Sequence, residues 1–385
     1  MSRKIDRCFN IQDIEVLAEK NLPGPIWHYL KGAADDELTM ANNTGAFDKI
    51  QLVPRVLQDV SAVDMSTTVM GQKVDWPVVL APTGMSRLFH HEGERAVAKA
   101  AEKSGTWYSL STVSTINIED VAATSSGPKM FQVYVVSDPA LNDELMDRAR
   151  AAGYKSMCLT VDTVTGGNRE RDHRTGMNIP ISLTPASVID FLRHPTWLYH
   201  HLRTGKPELA NLISSPLLFE TKGDALMAYL AGLMQRKLTW ADAERMISRW
   251  GGTFAIKGIL SAADAVRAVE AGASTIIVSN HGGRQLDTTP APIEVAEEII
   301  EAVDGRAEVI IDGGIRRGTH VIKALAMGAK ACMIGRPYLY GLAAGGQAGV
   351  ERSLELLKSE VERDMTLLGC NKLSDIGPQH LRYLS

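Results

Sequence analysis

The chain has 385 residues, 45% apolar and 22% charged, enough to bury a large core, which excludes wholesale disorder and small disulfide scaffolds. Forty-one Lys and Arg against 45 Asp and Glu leave a net charge of -4 with no basic tract to track a phosphate backbone, so nucleic acid is not expected as a partner. Cys8, Cys158, Cys332 and Cys370 form no CxxC pair and read as buried, reduced thiols. No run approaches the ~20 apolar residues of a membrane span and no signal peptide is evident, which predicts a cytoplasmic protein with surface attachment to the membrane left open.

In chain order, residues 1 to about 75 read as an N-terminal helical cap, with one helix in NIQDIEVLAEKNL and another in PIWHYLKGAADDELTMANN. Eight short apolar runs follow: VVLA from 78, TWYSLS from 106, MFQVY from 130, SMCLTVD from 156, TFAIKG from 253, TIIVSNH from 275, EVIIDGG from 308 and ACMIGRP from 331. Several are continuously apolar, the pattern of parallel strands covered on both faces. Helical stretches ending in Gly105, Gly153, Gly272 and Gly328 lead into them, a helix-to-strand connection used repeatedly. The runs start 22 to 33 residues apart, except for a gap of 97 between the fourth and fifth.

This spacing predicts an α/β fold, a (β/α)8 TIM barrel forming a single domain over 1–385, with an insertion at 163–240 after strand 4. A doubly wound sheet is the alternative, but the GxGxxG turn expected after its first strand is missing.

Active sites of such barrels form at the C-terminal ends of the strands. Those ends carry Thr83, Ser111, Gln132 with Tyr134, Thr160 with Asp162, Lys257, Ser279 with His281, Asp312 and Arg336. In SNHGGRQLD, 279 to 287, His281 and Arg284 flank two glycines, which suits a base beside an anion clamp. The turns IDGGIRRG and MIGRP follow the last two strands and expose backbone N–H groups for a phosphate, with Arg316 and Arg336 adding charge-assisted hydrogen bonds. Lys257, among apolar neighbours, suits either Schiff-base chemistry or charge stabilisation on a bound cofactor. No metal site is expected.

Together SNHGGRQLD, IDGGIRRG, MIGRP, LTVDT and FQVYV resemble the FMN-dependent α-hydroxy acid oxidase and dehydrogenase family over nearly the whole chain. The resemblance implies FMN at the top of the barrel and oxidation of an (S)-2-hydroxy acid to the 2-oxo acid. It makes His281 the base, Asp162 the carboxylate orienting it, Arg169 and Arg284 the substrate-carboxylate clamp, and Tyr29 and Tyr134 its hydrogen-bonding tyrosines. It places Lys257 beside the flavin N1 and C2 carbonyl, favouring charge stabilisation over a Schiff base. Around the flavin it assigns Ala81, Pro82 and Thr83 under the ring, Ser111, Gln132, Thr160 and Ser279 as hydrogen-bonding positions, Asp312 at the ribityl chain, and Gly314, Arg316, Gly335 and Arg336 at the phosphate.

Two positions depart from the glycolate-oxidising members: Val113 replaces a Trp, which enlarges the pocket, and Gly84 is the residue favoured by the dehydrogenases. The segment HPTWLYHHLRTGKPELANL, 194 to 212, resembles one associated with peripheral membrane attachment. The expectation is therefore a dehydrogenase, homotetrameric by family resemblance, passing electrons to a quinone-type acceptor at the inner face of the cytoplasmic membrane. The alternatives are an oxidase producing hydrogen peroxide from oxygen, and a non-catalytic flavin- or phosphate-ligand-binding barrel.

Overall fold

The structure, a computed structural model, describes residues 2–136, 139–177, 185–205, 207–212 and 236–384. Eight parallel strands close into a barrel: β1 Val78–Thr83, β2 Tyr108–Ser111, β3 Lys129–Val133, β4 Ser156–Thr160, β5 Thr253–Ile259, β6 Thr275–Ser279, β7 Glu308–Asp312 and β8 Ala331–Ile334. The barrel closes where Cys332, Met333 and Ile334 of β8 pair with Val78, Val79 and Leu80 of β1, giving the expected (β/α)8 architecture.

Alternation along each strand feeds two cores. Val79, Met130, Cys158, Ala255, Ile277, Ile310 and Met333 fill the interior, while Leu80, Phe131, Leu159, Ile256, Val278 and Ile311 pack against the surrounding helices. Both faces being covered is why the runs read as unbroken apolar stretches. All four cysteines are buried and free.

A hairpin of Thr67–Val69 and Gln72–Val74 plugs the N-terminal mouth, contributing Val69, Met70 and Val74 to the interior cluster. Trp107 Nε1 donates to the Val69 carbonyl at 3.1 Å, tying plug to barrel. Only the opposite mouth is left for chemistry.

The segment 1–75, expected to be a helical cap, differs from expectation in three respects, the first being the hairpin at 67–74. Ile11–Asn21 is a helix, but the segment read as one further helix forms two, Gly24–Lys31 and Leu38–Gly45. The break at Gly32–Glu37 exists because its backbone is used elsewhere: Ala34 N donates to Gly283 O and Asp35 N to Asn168 O, each at 2.9 Å. Asp35 and Glu37 take φ of 48° and 60° to make the turn. The cap also contains strand Ile50–Leu52, which pairs antiparallel with Leu381–Tyr383.

Between β4 and β5 lie helices Glu170–Thr175, Pro185–Arg193, Pro195–Thr204 and Trp240–Trp250. Of the expected insertion, 178–184, 206 and 213–235 lie outside the described residues.

Trp107→Ala empties the seat of the plug and is expected to cost about 3–5 kcal/mol of unfolding free energy. Urea unfolding checks this, and a loss under ~1 kcal/mol would mean that the hairpin does not seal the barrel.

Candidate active site

A cleft of about 300 Å³ opens at the C-terminal ends of the strands. Its wall includes Tyr29, Ala81, Pro82, Thr83, Tyr134, Arg169, Lys257, His281, Arg284, Asp312, Gly314, Arg316, Gly335 and Arg336. The remaining expected residues, Ser111, Gln132, Thr160, Asp162 and Ser279, do not line it. Asp162 and Ser279 bond to residues that do.

His281 sits just past β6 in a turn of three consecutive left-handed residues, with φ of 56° at His281, 66° at Gly282 and 76° at Gly283. A side chain at Gly283 would put its Cβ 2.7 Å from Met40 N, so glycine is what lets the N-terminal cap lie on this loop. Asn280 holds the turn by accepting from Gly283 N at 3.2 Å, and exchanges two amide hydrogen bonds with Asn43 at 2.7 and 2.8 Å.

The imidazole is fixed at both nitrogens. Nδ1 lies 3.0 Å from Asp162 Oδ1, and Nε2 faces the Tyr134 hydroxyl at 3.4 Å. Burial pushes the Asp162 carboxyl up, but His281 facing it and Lys257 nearby outweigh burial and hold it below the usual carboxylate range. An anionic Asp162 keeps a proton on Nδ1 and leaves Nε2 to face the cleft. Burial, reinforced by Asp162, raises the Tyr134 phenol, so it stays a donor.

The cationic wall is built around Tyr29. The Arg169 and Arg284 guanidinium carbons each lie 5.1 Å from its ring centroid. Arg284 is anchored by donating to the carbonyls of Tyr29 at 2.9 Å and Gly32 at 2.8 Å, while Arg169 Nε pairs with Asp172 Oδ2 at 3.2 Å. Burial and then the Arg169 charge lower the Arg284 pKa. Two like charges held together at a cleft wall favour an anion between them.

Opposite lies a buried polar triangle: Lys257 Nζ is 2.8 Å from both Ser279 Oγ and Asp312 Oδ2, and Ser279 Oγ donates to Asp312 Oδ2 at 2.7 Å. Burial disfavours the ammonium, but Asp312 and Asp162 more than offset it, so the Lys257 pKa is raised. On the neighbouring strands Ser111 Oγ donates to Gln132 Oε1, leaving Gln132 Nε2 and Thr160 Oγ1 buried without partners among the described residues. Orphaned buried donors are costly and call for a ligand.

These residues fit FMN. Gln132, Thr160 and Lys257 suit the polar edge of the isoalloxazine, and the amides of the turns at 313–316 and 335–336 suit the phosphate. Gly314 is required there, since at φ 74° a Cβ would stand 1.8 Å from Asn43 O. The Arg336 guanidinium is anchored by donating to the carbonyls of Leu30 at 3.3 Å, Gly282 at 2.8 Å and Gly32 at 2.9 Å. Its guanidinium keeps N–H groups beyond those three bonds, which suit a phosphate alongside the backbone amides of Gly335 and Arg336.

Sequence reasoning missed Asn43, Asn280, Gln285 and Tyr338. Gln285 Nε2 donates to the carbonyls of Asp162 and Thr165, and its Oε1 accepts from Gly167 N, tying the loop after β4 to that after β6. Tyr338 donates to Ala81 O at 2.6 Å and contacts Thr83 Oγ1, fixing the end of β1. Of these, only Asn280 and Gln285 carried a signal, their place within SNHGGRQLD.

A family model described as FMN-dependent dehydrogenase matches residues 18–383. L-lactate oxidase from Nostoc sp. is 43% identical over 384 residues, covering 98% of this chain and 99% of its own. Glycolate oxidase from Spinacia oleracea is 40% identical over 372 residues, covering 97% and 95%. The crystal structure of the monotopic membrane protein (S)-mandelate dehydrogenase matches with a TM-score of 0.94 at 36% identity, over 98% of this chain and 100% of that one.

Lys257→Met strands Asp312 without its cation. It is expected to lower stability by about 3–5 kcal/mol in denaturant unfolding and to deplete the flavin of the purified protein. Full flavin content with unchanged stability would contradict the role given to the triangle.

Proposed function

This chain belongs to the FMN-dependent dehydrogenase family, and from that premise we propose that it oxidises an (S)-2-hydroxy acid to the 2-oxo acid with His281 as the base. It is an FMN-dependent oxidoreductase acting on 2-hydroxy acids. The observation that carries the residue assignment is the Asp162–His281–Tyr134 line beside the Arg169–Tyr29–Arg284 stack. When bound, FMN supplies the two-electron acceptor.

The chain's own groups do the rest. Arg169 and Arg284 take the substrate carboxylate, which relieves the repulsion between them. Tyr29 and Tyr134 donate to the bound substrate and limit its rotation. His281 Nε2 receives the substrate proton, and Asp162 stabilises the imidazolium that results. Lys257 holds positive charge where negative charge develops on reduction.

The pocket wall supports a substrate larger than glycolate. Val113 and Gly84 meet there: a Cβ at Gly84 would lie 2.6 Å from Val113 Cγ2, so the small residue at 84 makes room for the branched one at 113. For the acceptor, the reading favoured is a quinone-type molecule at a membrane surface, with oxygen as the alternative. Exposed Val188, Ile189, Leu192, Tyr199 and Leu202 on the two helices after β4 support it, being an apolar surface suited to the lipid interface. No helix among the described residues is long and apolar enough to cross a membrane.

His281→Gln is expected to retain FMN while anaerobic flavin bleaching by substrate slows ~10²- to 10⁴-fold. Near-normal bleaching by stopped flow would remove His281 as the base. Val113→Trp is expected to shift kcat/KM from bulky toward short 2-hydroxy acids by ~10- to 200-fold. An unchanged ratio would place the side-chain pocket elsewhere.

A further inference from the structure

Five of the ten histidines, from segments far apart in the chain, converge on a second cavity of about 210 Å³. It lies where the helix Pro195–Thr204 docks on the segment following β1, and Phe89 lines both this cavity and the active-site cleft. His91 and His200 stack with centroids 4.0 Å apart, and His90 lies 4.3 Å from His91. His194 and His201 complete the set, His201 stacked 4.6 Å from Trp197.

The lining contains Lys20, Arg87 and Arg193 and no carboxylate, in a protein whose net charge is -4. Arg87 is committed to the carbonyls of Thr204 and Gly205, capping the docked helix. Lys20, Arg193, His200 and His201 have no side-chain hydrogen bond or ion pair among the described residues, and His91 Nδ1 is buried without a partner. Among the described residues no group of three or more potential ligands has an arrangement that could hold a metal ion. Glu92, outside the lining, faces His90 Nδ1 at 3.4 Å; the positive charge and open donors of the remaining groups suit an external anion.

We propose that this cavity is an anion site for a phosphate monoester, either a soluble one or the headgroup of an anionic phospholipid. A planar carboxylate is served best by a guanidinium fork, and the fork of Arg87 is already used. A tetrahedral dianion is suited to single donors arriving from several sides, as the imidazoles, Lys20 and Arg193 do. The apolar residues exposed on the same two helices make the lipid headgroup a physically reasonable source. The site is independent of the reading given above for the active site.

The cavity should take up protons with its ligand. Burial, with His91 and His200 adding to it and Glu92 opposing, pushes His90 down to about 4. Burial also lowers His91, alongside His200 and Arg87 with Glu92 opposing, and lowers His201, alongside Arg87. These imidazoles are therefore neutral at pH 7 when the site is empty, and an anion placed among them favours their charged forms. Affinity should then rise as pH falls, about tenfold per pH unit for each proton taken up.

Isothermal titration of the FMN-loaded protein with inorganic phosphate and glycerol 3-phosphate tests this, the flavin phosphate site being already filled. Expected are saturable binding that, referred to the concentration of the dianion, tightens from pH 8 to pH 6, with proton uptake at pH 8 revealed in buffers of different ionisation enthalpy, and a loss of about tenfold or more in His200→Gln and in Arg193→Gln. Sedimentation with phosphatidylcholine vesicles, with and without phosphatidic acid, identifies the source. Acid-lipid-dependent binding that both variants weaken assigns the headgroup, and binding of the soluble phosphates alone assigns a soluble ligand. Absence of phosphate binding in every arm, or binding indifferent to both variants and to pH, would overturn the proposal.

Discussion

Two half-buried guanidinium groups beneath the N-terminal cap must find acceptors, and much of the site follows from how they do. Arg284 takes the carbonyls of Tyr29 and Gly32, and Arg336 those of Leu30, Gly32 and Gly282. Burial, with Arg284 and Arg316 adding to it, lowers Arg336 to about 10, which leaves it charged at neutral pH. A charge drawn partly out of water without acceptors would be destabilising. The helix Gly24–Lys31 must therefore end where it does, so that its last carbonyls point at the arginines. Its termination also sets Tyr29 against Arg169 and Arg284, and brings the following loop onto Gly283 and Asn168.

Seen this way, barrel and cap share the work. Strand ends supply Lys257, Ser279 and Asp312 as a rigid polar floor, as well as the buried donors of Gln132 and Thr160. The loops supply His281 and the arginines, and the cap supplies acceptors that hold those arginines still. A cleft walled by Arg169, Arg284, Arg316 and Lys257, in a chain with net charge -4, concentrates anionic substrate without relying on a basic surface overall.

Much of this was legible in the sequence because barrel strands buried on both faces are written as unbroken apolar runs, and because His281 and Asp162 follow closely on strand ends while Lys257 lies near the C-terminal end of β5. The break at Gly32–Glu37 was not legible, since PIWHYLKGAADDELTMANN has helical periodicity throughout and the force that interrupts it comes from arginines some 250 to 300 residues away. The anchoring of the Arg336 side chain on the carbonyls of Leu30, Gly32 and Gly282 was not legible for a related reason, since those acceptors come from segments far away in the chain. His90 and His91 likewise meet His200 only through tertiary packing, so neither segment alone carries the signal.

The central claim is that this cleft turns over a 2-hydroxy acid of one hand against bound flavin. Anaerobic titration of the purified flavoprotein with the (S) and (R) enantiomers of lactate and mandelate, followed by loss of the visible flavin absorbance, tests it most directly. The account predicts stoichiometric bleaching by at least one (S) acid and none by its (R) partner. A yellow protein that no 2-hydroxy acid bleaches, or one bleached equally by both enantiomers, would contradict it.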